Sequence, residues 1–137
     1  MRFVVILSLW LLSGVGMTMD KVAFMQQFEG RYLVVIGEGL PICLKVSSRK
    51  VRAVNQQDVC ARLQRASIRQ NGEVCIKPDK PGASARCELV DVLNGRYTMG
   101  TAQRPIESYG SKQALILALK HRGEEGFVDP LGLPIEE

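Results

Sequence analysis

Four cysteines, Cys43, Cys60, Cys75 and Cys87, are the side chains of this sequence best suited to chemistry, as nucleophiles, metal ligands or disulfide partners. Each role makes a demand on spacing. A structural zinc site takes its ligands as short-spaced pairs, yet no C-x-x-C occurs and the single His121 lies far from every cysteine. A catalytic thiol or serine needs an imidazole base. His121 stands between Lys120 and Arg122, at the end of an expected helix, where the helix dipole favours a cation. It reads as a solvated basic cap. The carboxylate pairs Glu124-Glu125 and Glu136-Glu137 lie in a tail that offers no rigid geometry for acid–base work. Gly37-Glu38-Gly39 lacks the Gly-Lys-Ser/Thr and the helix that complete a phosphate cradle, and reads as a hairpin turn. No active site assembles, so the chain reads as a non-enzyme without cofactor or metal.

Redox compartment decides between the readings that remain. The chain opens with Met1-Arg2 and an apolar run from Phe3 to Leu12 broken only by Ser8. That run is shorter than the roughly 20 residues a membrane-spanning helix needs. Gly14 and Gly16 then supply a small-x-small cleavage pattern, so residues 1–16 read as a secretory signal peptide. No cysteine follows for a lipid anchor, and a periplasmic or secreted protein without a membrane segment is expected after cleavage. An even set of cysteines in an exported chain reads as disulfides. Three pairings are open arithmetically. Cys43–Cys60 and Cys75–Cys87 are favoured because each joins sequence neighbours, and the second spans KPDKPGASAR, a stretch that already turns the chain back. Each closure contributes on the order of 3 kcal/mol in the loop-entropy account.

Roughly 120 residues then remain of 137, enough for one core. The formal charge of +4, reduced by the loss of Arg2, is a mild basicity that does not compel a nucleic-acid partner. Residues 17–29 are expected to be partly helical. Asp20 caps Lys21 to Phe28, with Val22, Met25 and Phe28 on one side, and Gly30 stops the helix. Arg31 to Ile36, Ile42 to Val46 and Val51 to Val54 read as strands. Residues 58–66 are ambiguous: Val59 and Leu63 stand at helical spacing, but the segment is short for a helix. Asn71-Gly72 and Asn94-Gly95 read as two-residue hairpin turns. The second pairs Leu93 with Arg96, Val92 with Tyr97 and Val90 with Met99; the first pairs Arg69 with Val74 and Ile68 with Cys75. Ser111 starts a second helix with Leu115, Ile116 and Leu119 on one face and Gly123 as its stop. Residues 124–137 read as a tail. The expected fold is mainly β (α+β). Residues 30–110 form a small antiparallel β-barrel or strongly curved sheet with two disulfides, flanked by a short N-terminal helix and a C-terminal helix at 111–123.

From Phe28 to Gly100 the run F-E-G-R-Y-L, G-x-x-x-C-L-K-V, D-V-C-A-R-L, R-Q-N-G-E-V-C-I and C-E-L-V-D-V-L-N-G-R-Y resembles the bacterial periplasmic inhibitors of alkaline metalloproteases. The resemblance implies a small up-and-down eight-stranded barrel whose one disulfide corresponds to Cys43 and Cys60. It also implies inhibition by an extended N-terminal arm, which would fall on Met17 to Gln27. The chain departs from that pattern in having Tyr32, and Ile68 or Arg69, where the family has tryptophans. Cys75, Cys87 and the helix from Ser111 are additions.

One positive constellation stands out from the residues alone. Arg49, Lys50, Arg52, Arg62, Arg65 and Arg69 make the Cys43–Cys75 stretch cationic, and a helix at 58–66 would align Arg62, Arg65 and Arg69. These six are the candidate contacts to an acidic protein partner. Nucleic acid is not expected, since the stretch has no aromatics on which bases could stack. Two classes of function stay open. One is an exported binding protein of the bacterial cell envelope, most concretely a proteinaceous inhibitor of a secreted hydrolase. The other is an accessory subunit of an envelope assembly (a secretion or conjugation apparatus) or an immunity protein, with the terminal helix and tail carrying the contacts.

Overall fold

A computed structural model of the chain describes residues 17–124. The expected signal peptide, residues 1–16, and the tail from 125 onward lie outside the described residues. Asp20 starts the first helix as its chemistry dictates: its Oδ1 accepts the Ala23 N–H at 2.8 Å, and helix α1 covers Lys21–Phe28. The buried face keeps Phe28 and Met25 of the expected one but substitutes Phe24 for Val22. Phe24 and Phe28 point inward while Val22 is 66% exposed. Two phenyl rings at i, i+4 bury more apolar surface than a Val22–Phe28 face would. They also stack edge to face at 5.0 Å, with Phe28 meeting Tyr97 at the same distance.

The strands are β1 (Met17–Thr18), β2 (Tyr32–Val35), β3 (Ile42–Ser47), β4 (Lys50–Ala53), β5 (Leu63–Ile68), β6 (Val74–Pro78), β7 (Arg86–Glu88), β8 (Val90–Leu93), β9 (Arg96–Met99) and β10 (Arg104–Tyr109). Helix α2 follows at Lys112–Glu124, with the Ser111 hydroxyl accepting the Ala114 N–H at its start. It runs through Gly123, which does not stop it. One sheet has the order β1-β8-β9-β10-β2-β3-β4 and the other β5-β6-β7, with every pairing antiparallel. Strand β4 packs along β5. Only Leu89 separates β7 from β8, so these two act as one bent strand shared by both sheets. The result is a curled, β-barrel-like meander in which the last strand, β10, returns to pair with β2.

The core fills the curl with Leu33, Val35, Leu44, Val46, Val51, Val74, Val90 and Met99, and α1 inserts Phe24 and Phe28. Helix α1 sits at the end where three hairpins turn: the Glu29 carboxylate accepts the Ser48 N–H, and Met19-Asp20 lie against Gly72. A second cluster lies on the outer side of β2–β3, where Leu115 and Leu119 of α2 cover Val34, Cys43 and Cys60. Strands β2 and β3 are therefore buried on both faces, which explains their near-continuous apolar run.

The Asn94-Gly95 hairpin has the expected register, with both residues at positive φ. The Asn71-Gly72 hairpin does not. Ile68 pairs with Val74 and Ser67 with Cys75, a one-residue shift from the expected register, because the loop holds three residues and Arg69 N–H bonds the Glu73 carbonyl. Asn71 is not at positive φ; its side chain accepts the Glu73 N–H, and Gly72 alone takes the left-handed conformation. The shift turns Ala66, Ile68, Val74 and Ile76 toward the core.

Residues 58–66 form no helix. Asp58 turns at φ +73. Asn55 then brackets Leu63, accepting its N–H at 2.8 Å and donating to its carbonyl at 2.9 Å, which draws the chain into β5.

Gly72 also locks the N-terminal strand. A Cβ there would stand 2.3 Å from the Met19 carbonyl oxygen at φ +96, against a segment held by Met19 N–H to Val90 O and by pairing of Met17 with Val92. Gly72→Ala is expected to cost about 2–4 kcal/mol from left-handed strain and overpacking together. Urea unfolding checks it, and an unchanged midpoint would contradict the close approach.

Candidate functional site

All four cysteines are joined as expected, Cys43–Cys60 and Cys75–Cys87, with no free thiol among the described residues. The first bridge is buried beneath α2. The second crosses β6 and β7 between directly paired residues, on the outer wall. Two disulfides fit an oxidising, extracytoplasmic setting. No described helix is long and apolar enough to cross a membrane.

The six candidate cations divide into two groups. Arg49 occupies the tip of the β3–β4 hairpin, at φ +62 beside Ser48 at +53. On β4, Val51 and Ala53 face the core, so Lys50 and Arg52 face out. On β5, Ala66 and Ile68 face inward, which turns Arg65 outward with Ser67, and Arg69 continues on that side. Arg65 pairs across the ladder with Lys77 of β6. The outer wall of β4–β6 thus presents Lys50, Arg52, Arg65, Arg69 and Lys77, with Arg49 in the adjoining hairpin turn. Only Arg69 has a described carboxylate partner, Glu73 at 3.4 Å. Strand alternation rather than a helix face collects them, which corrects the helical grouping of Arg62, Arg65 and Arg69.

Arg62 does not belong to this wall. It precedes β5 and pairs with Asp79 at 3.6 Å, at the mouth of a cleft. Lys77 was missed, although its alternation with Cys75 and the inward Val74 and Ile76 carried the signal. Lys45 also faces out but is engaged internally, donating to the Gly30 carbonyl at 3.0 Å with its ammonium 4.2 Å from the centre of the Tyr32 ring.

The cleft opens at the end of the curl away from α1. Its volume is about 1200 Å³, and apolar side chains including Ile42, Leu63, Ile76 and Met99 line it beneath a charged rim. A third cluster joins α2 to β10: Arg122 meets both carboxylate oxygens of Glu107 at 2.8 Å, and the Tyr109 hydroxyl donates to Glu107 at 2.8 Å. Partial burial pushes the Tyr109 hydroxyl above its ordinary value, and the bond to Glu107 adds to the rise. Tyr109 therefore stays a neutral donor at physiological pH, and this cluster reads as a clamp for α2. Among the described residues no group of three or more His, Cys, Asp or Glu side chains is placed to hold a metal ion.

Comparison of the chain with protein-family models, curated proteins and solved structures finds no match. What the molecule offers a partner is therefore read from its own surfaces. The stretch on which an inhibitory arm would fall is occupied: Met17–Thr18 forms β1 against β8, and residues 21–28 form α1 with its aromatics in the core.

Proposed function

We propose that this is an exported, disulfide-stapled binding protein of the bacterial cell envelope that docks an acidic protein surface. Its most concrete form is a proteinaceous inhibitor of a secreted hydrolase, as the resemblance to the metalloprotease inhibitors implies. The observation that carries this reading is the outer wall of β4–β6, where Lys50, Arg52, Arg65 and Lys77 have no described carboxylate partner. Fixed cations of one sign on a rigid sheet accelerate encounter with an acidic partner and select against basic ones. The barrel-like meander and the disulfides support the reading as a stable scaffold. With residues 17–28 engaged in the fold, occlusion is assigned to the basic wall rather than to an arm.

An accessory role in an envelope assembly, with α2 as the contact, has less to stand on. The inner face of α2 is committed to Val34 and the Cys43–Cys60 bridge, leaving Leu117 as its one exposed large apolar side chain among the described residues.

The test is titration of secreted metalloproteases and lysozymes with the purified mature protein. Near-stoichiometric loss of hydrolase activity is expected. Arg52→Glu/Arg65→Glu should slow association by about tenfold or more at low salt, with the difference shrinking as ionic strength rises. Stopped-flow association rates check this. Inhibition that ignores both substitutions would remove the basic wall from the mechanism.

A further inference from the structure

A cleft opens at the end of the curl rather than on its outer wall. Leu40, 53% exposed, and the partly buried Ile42 line it, with the buried Leu63, Val74, Ile76 and Met99 at its base. Its rim carries charges that largely cancel. Arg62 faces Asp79 at 3.6 Å, and Arg86 meets Glu88 at 2.9 Å. The Glu88 carboxylate also lies over the bare backbone of Gly100, where a Cβ would stand 2.6 Å from its oxygen. Three charged groups remain, Arg104, Lys80 and Glu38, and no described carboxylate pairs with either cation. The rim therefore has one positive charge in excess.

Arg104 is placed to use that excess. It is half-buried at the start of β10, and its Cδ and Nε pack on Gly37, 3.5 and 3.6 Å from where a Cβ would be. It pairs across the ladder with Met99 and shares the inward face of β10 with Ile106, so its side chain lines the cleft with Ile36 and Pro105. A half-buried cation without a counterion is costly, and a planar guanidinium matches a carboxylate through two parallel hydrogen bonds. The other half of the site is an apolar trough. Small-molecule sites run at roughly 300–1,000 Å³, so this one also leaves room for water at the rim.

We propose that the cleft binds a small monocarboxylate with an unbranched apolar tail, the carboxylate held by Arg104 and the tail lying along Leu40 and Ile42, above Leu63, Ile76 and Met99. The proposal is independent of the basic wall, since Arg104 is not part of it. The test is calorimetric titration of the full chain with octanoate, decanoate and dodecanoate, and with decanol as the head-group control. One site is expected, tightening by about fourfold per added methylene while the tail is being buried. Decanol should bind at least about tenfold more weakly than decanoate, and Arg104→Gln should weaken decanoate by a similar factor, while Arg96→Gln, at an exposed residue outside the cleft, leaves it unchanged. Methyl chemical-shift changes of the wild-type chain should centre on Ile42, Ile76 and Met99, and they decide the matter if Arg104→Gln fails to fold. Absence of binding by all three acids would overturn the proposal. So would binding that Arg104→Gln leaves intact, or shifts confined to the outer wall.

Discussion

Phe28→Ala is expected to lower the stability of the protein by about 3–5 kcal/mol, as removal of a fully buried aromatic does when its surroundings relax only in part. Phe28 is 1% exposed and is the hinge of an aromatic row, stacked on Phe24 on one side and on Tyr97 of β9 on the other. Its loss leaves a void between α1 and the barrel and removes two edge-to-face contacts. Neither Phe24 nor Tyr97 can fill that void: Phe24 is tied to the helix capped by Asp20, and Tyr97 is tied to Val92 by its ladder. A small domain holds only about 5–15 kcal/mol in total, so the variant should be largely unfolded well below the melting temperature of the parent. Thermal and urea unfolding measure it. Val22→Ala is the matched control, expected within about 0.5 kcal/mol because Val22 is a surface residue. Similar losses from both would mean that α1 is not docked by its Phe24–Phe28 face.

The second large effect is expected from Cys43→Ala/Cys60→Ala, about 2–5 kcal/mol, the usual cost of removing a native disulfide from a small exported domain. The corresponding change at Cys75 and Cys87 should cost less. Sequence separations of 17 and 12 residues differ too little to matter, on the order of 0.3 kcal/mol in loop entropy. Location makes the difference. Cys43 and Cys60 are 0% and 2% exposed beneath Leu115 and Leu119, so their removal also opens a cavity under α2. Cys75–Cys87 lies on the outer wall, where β6 and β7 are already joined by their ladder. Paired urea titrations of the two double variants check the ranking, and equal midpoints would contradict it. Thiol labelling in mild reductant should likewise reach Cys75 and Cys87 first.

Much of the local structure was legible because it depends on neighbouring residues. Asp20 needed only the N–H of Ala23 to start α1, and Asn94-Gly95 needed only its own positive φ angles to set the register of Val90, Val92, Tyr97 and Met99. The Asn71-Gly72 register turned on contacts within residues 69–73, whereas the other misses involve partners distant in sequence. Strand β10, with Pro105, Glu107 and Ser108 in six residues, has no clear strand pattern; it is a strand because β2 and β9 both need a partner there. The Ser48-Arg49 turn lacks glycine and is supported by Glu29 from the end of α1. Arg62 lies near Arg65 in sequence yet faces a different part of the surface, because Asn55 and the Cys43–Cys60 bridge set where β5 begins.

From the sequence alone came the cysteine pairing, the mainly β class, both helices and the cationic character of residues 49–69, all of which follow from composition and short-range spacing. The tertiary structure decided three things: which cations share the outer wall, that residues 17–28 are built into the barrel, and that Arg104 stands over an apolar cleft. The physical reason is that a side chain's direction in a sheet depends on register. Register here is set by closure of β10 onto β2, which no single stretch of the chain encodes, and by the one-residue shift at Asn71-Gly72, which rests on the choice of a three-residue over a two-residue turn.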